Sequence, residues 1–259
     1  MVTIKTDKDI KNLRIAGKML AAVLLEVQNC IKPGVKTITL DTLAEDLIRK
    51  HGATPAFKNY QNFPNDTPFP STLCTSVNEE VVHAPASNRV LVDGDIIGVD
   101  IGLKYTIDGR DYFTDMARTI GVGKISKIAK KLLRVTKTSL EIGIRQVKPE
   151  NTILDIGRAI QEYVESQGFS VVRSLTGHGV GYKVHEDPQI PNYVRSHAKN
   201  VVMKKGMVLA IEPMVNIGSP DVMTSDDGWT ISTLDGSLSA HFEHTVVVTD
   251  NGYEILTKM

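Results

Sequence analysis

The chain is poor in sulfur ligands and has no surplus of charge. Only two of its 259 residues are cysteine, Cys30 and Cys74. Their separation fits neither a zinc knuckle nor a redox motif, so a disulfide scaffold and a thiolate metal centre are both excluded. Reduced thiols in the cytoplasm are the expectation. Lys+Arg and Asp+Glu each number 30, and a balanced chain offers no global field to a nucleic acid or an acidic membrane. Neither DNA nor a membrane is expected as a partner. Long hydrophobic runs are also missing. The longest early one, Met19–Leu25, is too short to span a bilayer. Lysines precede it, as in a secretory signal, but Thr6 and Asp9 read as a helix cap. Ile10, Leu13, Gly17, Leu20 and Leu24 then recur at helical spacing, which predicts the amphipathic first helix of a folded domain.

No low-complexity stretch or Pro/Ser-rich linker divides the chain, and 1–259 reads as one catalytic domain. Inside it the sequence repeats faintly. Leu25–Glu26–Val27 leads to Lys32–Pro33, Thr37 and a helical stretch ending at Gly52. Leu140–Glu141–Ile142 leads to Lys148–Pro149, Thr152 and a helical stretch ending at Gly168. An apolar strand follows in each half. Gly94 to Asp100 and Gly206 to Glu212 both place an acid six residues after a glycine. The pattern predicts two similar α+β halves, about 1–120 and 121–259, related by a pseudo-twofold axis. Such a fold brings equivalent positions together near its centre, and the equivalent positions here are acids.

An acid inside Ile96–Ile97–Gly98–Val99–Asp100–Ile101 faces the interior or a cleft, where a carboxylate is tolerated only if paired or bound to metal. For any single such acid a structural salt bridge remains open. Asp108–Gly109 is a two-residue hairpin signal. It sets Ile107 opposite Arg110, Gly102 opposite Asp115, and Asp115 diagonal to Asp100 on the same face. Asp111 pairs with Thr106 on that face, but about 20 Å further along from Asp100. Asp115 is therefore the expected partner, with Gly102 leaving room for metal.

The second half adds Glu212, in Leu209–Ala210–Ile211–Glu212–Pro213, and Glu243, in His241–Phe242–Glu243–His244. Between the halves lies Gly177–His178–Gly179–Val180–Gly181, followed by His185. Alternating glycines allow close backbone approach to a ligand or a neighbouring strand. The spacing does not match a nucleotide-binding loop, and His185–Glu186 does not begin a zinc His-Glu-x-x-His helix. A lone histidine is more often structural than ligating. Flanked by glycines, with four acids in need of a cation, His178 is the expected imidazole ligand. Four carboxylates and one imidazole suit manganese, iron(II), cobalt or zinc. Two such ions side by side lower the pKa of a water and polarise a carbonyl, a hydrolase arrangement.

These residues carry a family resemblance. Ser76 to His83, Gly94 to Gly102, Thr114–Asp115, Thr176 to Pro191, Gly206 to Asn216 and Ser239 to Thr257 closely resemble the type I methionine aminopeptidases. The likeness extends over essentially the whole chain. It implies the α+β pita-bread fold, a curved antiparallel sheet with helices on its outer face. It also implies two divalent metal ions, with Asp115 and Glu243 bridging, Asp100 on one, and His178 and Glu212 on the other. Glu212 would shuttle protons, His185 would stabilise the oxyanion, and His83 would contact the scissile amide. The methionine side chain would enter a pocket of Cys74, Trp229 and Tyr60 with Phe63 or Phe69, although Cys74 or Trp229 taken singly reads as ordinary core. The substrates implied are nascent polypeptide N-termini with a small second residue, and the expected state is a monomer.

Four features depart from the family pattern. Ala84–Pro85 stands where Gly-x-Pro is usual, the Phe63–Pro70 segment is lengthened, the Asp100–Asp115 hairpin is longer, and Val184 replaces an aromatic. A proline-specific peptidase of the same fold would use the same five ligands but usually carries another N-terminal domain. A non-catalytic binding protein of this fold would have lost ligands. Lys124, Lys127, Lys130, Lys131, Arg134 and Lys137 make one basic helix face. That face reads first as solvated surface and second as a transient contact with ribosomal RNA.

Overall fold

The computed structural model describes residues 2–61, 63–194 and 200–259. The chain opens with α1 (Asp7–Asn29) and α2 (Thr37–Lys50), followed by β1 (Thr54–Pro55), β2 (Leu73–Val77), β3 (Glu80–Val82), β4 (Ile96–Ile107) and β5 (Arg110–Gly121). A second helix pair, α3 (Lys127–Ile144) and α4 (Ile153–Ser166), precedes β6 (Ser170–Val171), β7 (Gly177–Gly179), β8 (Glu186–Ile190) and β9 (Val208–Ile211). The chain closes with β10 (Met214–Asn216), β11 (Val222–Thr224), β12 (Ile231–Thr233), β13 (Ser239–His241), β14 (His244–Thr249) and β15 (Gly252–Ile255).

Local chemistry explains the helix starts. The Thr6 hydroxyl accepts the Asp9 N–H while the Asp9 carboxylate accepts the Thr6 N–H, a reciprocal cap on α1. Thr152 and Asp155 form the equivalent box on α4. The pairing of β4 with β5 runs without a bulge from Ile107↔Arg110 to Ile96↔Gly121, and Gly102 stands opposite Asp115. The Asp108–Gly109 turn therefore sets the register that the sequence predicts.

The strands form antiparallel ladders. One sheet orders β1-β4-β2 with β5 on β4, a second runs β15-β14-β9-β7-β8, and the three-stranded sheets are β13-β10-β6 and β11-β12-β3. Two main cores lie beneath the helices. One takes its buried members from Ala16 to Val122, and the other, apart from Ile96, takes them from Ala129 to Val248. On β4 the residues Ile97, Val99, Ile101 and Leu103 all enter the first core. Each such apolar side chain, once fully buried, contributes on the order of 1.5–3 kcal/mol. The period of two then forces Gly98, Asp100 and Gly102 onto the opposite face.

Strand β5 meets residues 241–245 along a central seam. The Glu243 N–H donates to the Ala117 carbonyl at 2.9 Å. Two threonines complete the pairing. Thr245 Oγ1 accepts the Asp115 N–H (2.9 Å) and donates to the Asp115 carbonyl (2.8 Å). Thr119 Oγ1 does the same for His241, accepting its N–H at 2.9 Å and donating to its carbonyl at 2.8 Å. The seam thus sets Asp115 opposite Thr245 and Ala117 opposite Glu243, which makes Asp115 and Glu243 diagonal neighbours across it. Thr245→Val keeps the shape but leaves a buried amide and carbonyl unpaired. It is expected to cost about 1–3 kcal/mol of stability, read as a lower midpoint in chemical denaturation.

Candidate active site

Four acids and three histidines converge where the seam meets a cavity of about 930 Å³. Asp100 comes from the cavity face of β4, and Asp115 comes from β5 diagonal to it on the same face. Glu212 and Glu243 occupy breaks between strands. Glu212 follows β9 and precedes Pro213, and Glu243 separates β13 from β14. At both breaks the chain passes from one sheet to another, which turns these side chains inward. His178 stands at the centre of β7. A Cβ on Gly177 would collide with the Ala210 carbonyl, and one on Gly179 with the Asp187 carbonyl. The glycines flanking His178 are therefore required by neighbouring backbone.

Ligand atoms of Asp115, His178 and Glu243 lie within 4.8 Å of one another. His178 Nε2 is 3.9 Å from Asp115 Oδ2 and 3.5 Å from Glu212 Oε1. Its Nδ1 lies 2.9 Å from the Gly179 carbonyl. A hydrogen on Nδ1 satisfies that carbonyl and leaves the Nε2 lone pair facing the carboxylates, the tautomer a metal ligand needs. Burial holds His178 neutral, with its pKa lowered to about 3.

Burial and mutual repulsion push the acids the other way. Desolvation raises Asp100 to about 7, and it raises Asp115, Glu212 and Glu243 well above the ordinary carboxylate range, with neighbouring carboxylates adding to the effect. Among the described residues, Asp100 Oδ1 and Glu243 Oε1 are buried with no hydrogen-bond partner. Buried acceptor atoms without donors, beside an imidazole lone pair, are a donor set that suits a divalent cation.

His83, His185, Tyr60, Phe69, Cys74 and Trp229 all line the same cavity. His83 sits at φ 61°, a left-handed conformation that is rare outside glycine and gathers at functional positions. Burial lowers its pKa to about 4. His185 stacks edge-on to His178 with centroids 4.5 Å apart, and its Nδ1 meets the Tyr60 hydroxyl at 2.7 Å. Phe69 packs edge-to-face on Trp229 at 5.2 Å. Phe63, by contrast, is 70% exposed and does not line the cavity. The loop carries it outward, and Phe69 is the aromatic of this segment at the site.

Two further residues at the site escape a sequence-only reading. Phe57 lines the cavity, and its ring fills the space beside Gly102, so that glycine makes room for an aromatic side chain rather than directly for metal. His241 is 3% exposed, its Nε2 lies 3.6 Å from Glu212 Oε2, and among the described residues that nitrogen has no hydrogen-bond partner. The alternation of His241 with Glu243, two residues apart, was the one signal for it.

A carboxylate and imidazole cluster at the floor of a cavity, built on antiparallel sheets that meet at a central seam, is the hallmark of a metal-dependent hydrolase. Residues 11–250 match the model of metallopeptidase family M24, and the chain belongs to that family. It is similar to the methionine aminopeptidase of Clostridium perfringens, 48% identical over 99% of each chain. Among solved structures, the methionine aminopeptidase of Thermotoga maritima superposes with a TM-score of 0.92 at 45% identity, covering 100% of both chains. The prolidase of Pyrococcus furiosus reaches a TM-score of 0.78 at 23% identity, covering 99% of this chain and 65% of that one. That likeness concerns the fold alone, the pita-bread fold common to all three.

Proposed function

We propose that the protein removes an N-terminal methionine from polypeptides with a small second residue, using two divalent cations held by Asp100, Asp115, His178, Glu212 and Glu243. The observation that carries this reading is the convergence of those five side chains on one cavity, with orphaned carboxylate oxygens and a free imidazole lone pair among them. Asp100 and Asp115 lie diagonal on one hairpin face, and His178 approaches both Asp115 and Glu212. Asp115 and Glu243, diagonal neighbours across the seam with ligand atoms close to each other, would be the pair shared by the two ions. Cobalt, manganese, iron(II) or zinc would suit this donor set. When bound, such ions supply Lewis acidity to the scissile carbonyl and lower the pKa of the attacking water.

The protein's own groups do the rest. Glu212 takes the proton from the attacking water and delivers it to the departing amine. With the Tyr60 hydroxyl donating to His185 Nδ1, the hydrogen sits on Nε2, where it is available to the developing oxyanion. His83 hydrogen-bonds the scissile amide. Cys74, Tyr60, Phe57, Phe69 and Trp229 line the end suited to an unbranched thioether side chain. Nascent chains in the cytoplasm are the matching substrates. Among the described residues no ion pair holds Lys124, Lys127, Lys130, Arg134 or Lys137 of the basic face, while Lys131 donates to the Gln167 carbonyl at 2.7 Å. We read this face as solvated surface open to transient contact with ribosomal RNA.

Purified protein supplied with Co(II), Mn(II) or Fe(II) is expected to release methionine from Met-Ala and Met-Gly peptides and to leave Xaa-Pro peptides intact. Cleavage of the proline peptides alone would reverse the assignment.

A further inference from the structure

We infer that the segment Thr3–Lys5 belongs to the catalytic apparatus: by clamping Glu186 it positions His185, which makes Thr3, Lys5 and Glu186 positioning residues. The inference rests on the role given to His185 above.

His185 lies in the connection between β7 and β8, where the strand pairing shifts register and residues 180–185 form no regular strand. Side chains replace the missing ladder. Glu186 Oε1 accepts the Tyr182 N–H at 2.5 Å and the Lys183 N–H at 3.0 Å, closing the turn that carries His185. Glu186 Oε2 accepts the Lys5 ammonium at 2.6 Å and also the Thr3 hydroxyl. The carboxylate therefore receives four donors, two from the turn and two from the start of the chain. The side chains of Lys5 and Glu186 are only 1% and 5% exposed, so this is a buried ion pair and not a surface contact.

The clamp is itself anchored. The Lys5 N–H donates to the Gly206 carbonyl at 2.8 Å, just before the strand that leads to Glu212. The Lys5 ammonium lies 4.9 Å from the centre of the Tyr182 ring, and the Tyr182 hydroxyl donates to Asp9 at 2.7 Å. Thr3 and Glu186 both line the catalytic cavity. Desolvating two charges is costly, and an apolar pair would fill the same space. What the ion pair adds is direction: it fixes the backbone one residue from an imidazole that Tyr60 grips from the other side.

The test compares Lys5→Met, Lys5→Arg, Glu186→Gln, Thr3→Val and His185→Gln with the wild-type protein. It measures kcat and KM on a methionyl peptide, the metal content, and imidazole NMR of metal-free protein. Small displacements of a catalytic group are costly, so Lys5→Met and Glu186→Gln are expected to lower kcat about tenfold with KM and metal content nearly unchanged. Lys5→Arg should recover part of the loss. The His185 resonances should move in these variants while those of His51 stay in place. Normal kcat in the folded variants, or a loss that only follows metal content, overturns the inference.

If Lys5→Met does not fold, Thr3→Val removes one hydroxyl and no charge. It should lower kcat about threefold and shift His185, and no change in either overturns the inference. His185→Gln separates the two claims. Full kcat there refutes the role of His185 itself, whereas impaired His185→Gln beside intact clamp variants refutes only the clamp.

Discussion

Asp115→Asn is expected to lower kcat/KM on a methionyl peptide by more than about a thousandfold, or about 4 kcal/mol of transition-state stabilisation. Glu243→Gln should match it. Both substitutions keep the shape of the side chain and remove the charge. Asp115 and Glu243 are 4% and 2% exposed, so neither is a solvated surface charge. The purified variants should also retain less metal, which elemental analysis would show. Asp111 is the control. It belongs to the same hairpin, but it pairs with Thr106 near the exposed tip and bonds the Thr106 hydroxyl at 2.6 Å. Asp111→Asn should leave turnover unchanged. Near-normal activity in Asp115→Asn would refute the bridging assignment.

Removing metal should change stability and its dependence on pH. Asp100 has a folded pKa of about 7, and Asp115, Glu212 and Glu243 are also raised by burial. In the unfolded chain the same carboxyls titrate near 4. Between those limits the folded state holds more protons, so these acids contribute stability that is lost as pH rises through their folded pKa values. His83, His178 and His241, lowered to about 4, 3 and 3, act in the opposite sense, but only below about pH 6.5, where the unfolded imidazoles take up protons. From about pH 6.5 to 8 the carboxylates act alone. Chelated protein is therefore expected to melt at progressively lower temperature across that range. A divalent ion at a hundred times its Kd adds about 2.7 kcal/mol and should raise the melting temperature by about 5–10 °C, most at the alkaline end. A melting temperature indifferent to both chelator and pH would contradict a repulsive, cation-requiring cluster.

The parts of the site that were legible in the sequence are those governed by local rules. The Asp108–Gly109 turn dictates the pairing of Gly102 with Asp115, and strand alternation then puts Asp100 and Asp115 on one face. The capping boxes at Thr6 and Thr152 announce their helices. The residues that stayed hidden act across long separations in the chain. Thr245 bonds to Asp115 and Thr119 to His241 through single hydroxyls, and nothing in a threonine's neighbours along the chain marks it as a surrogate for a backbone ladder. Phe57 and Phe69 reach the cavity while Phe63 does not, because the path of the intervening loop decides which aromatic turns inward.

The sequence by itself determined the chemical inventory: four acids in apolar or strand-edge settings, an imidazole between glycines, and a thiol-poor, oxygen-rich donor set. Periodicity and turn chemistry are short-range, so they are written into consecutive residues. Only the tertiary structure decided that His241 stands beside Glu212 and that Lys5 meets Glu186 across most of the chain. Contacts of that kind are set by how the sheets close upon one another. The energy that selects them is the burial of apolar surface, and polar groups carried inside must then find partners far away along the backbone.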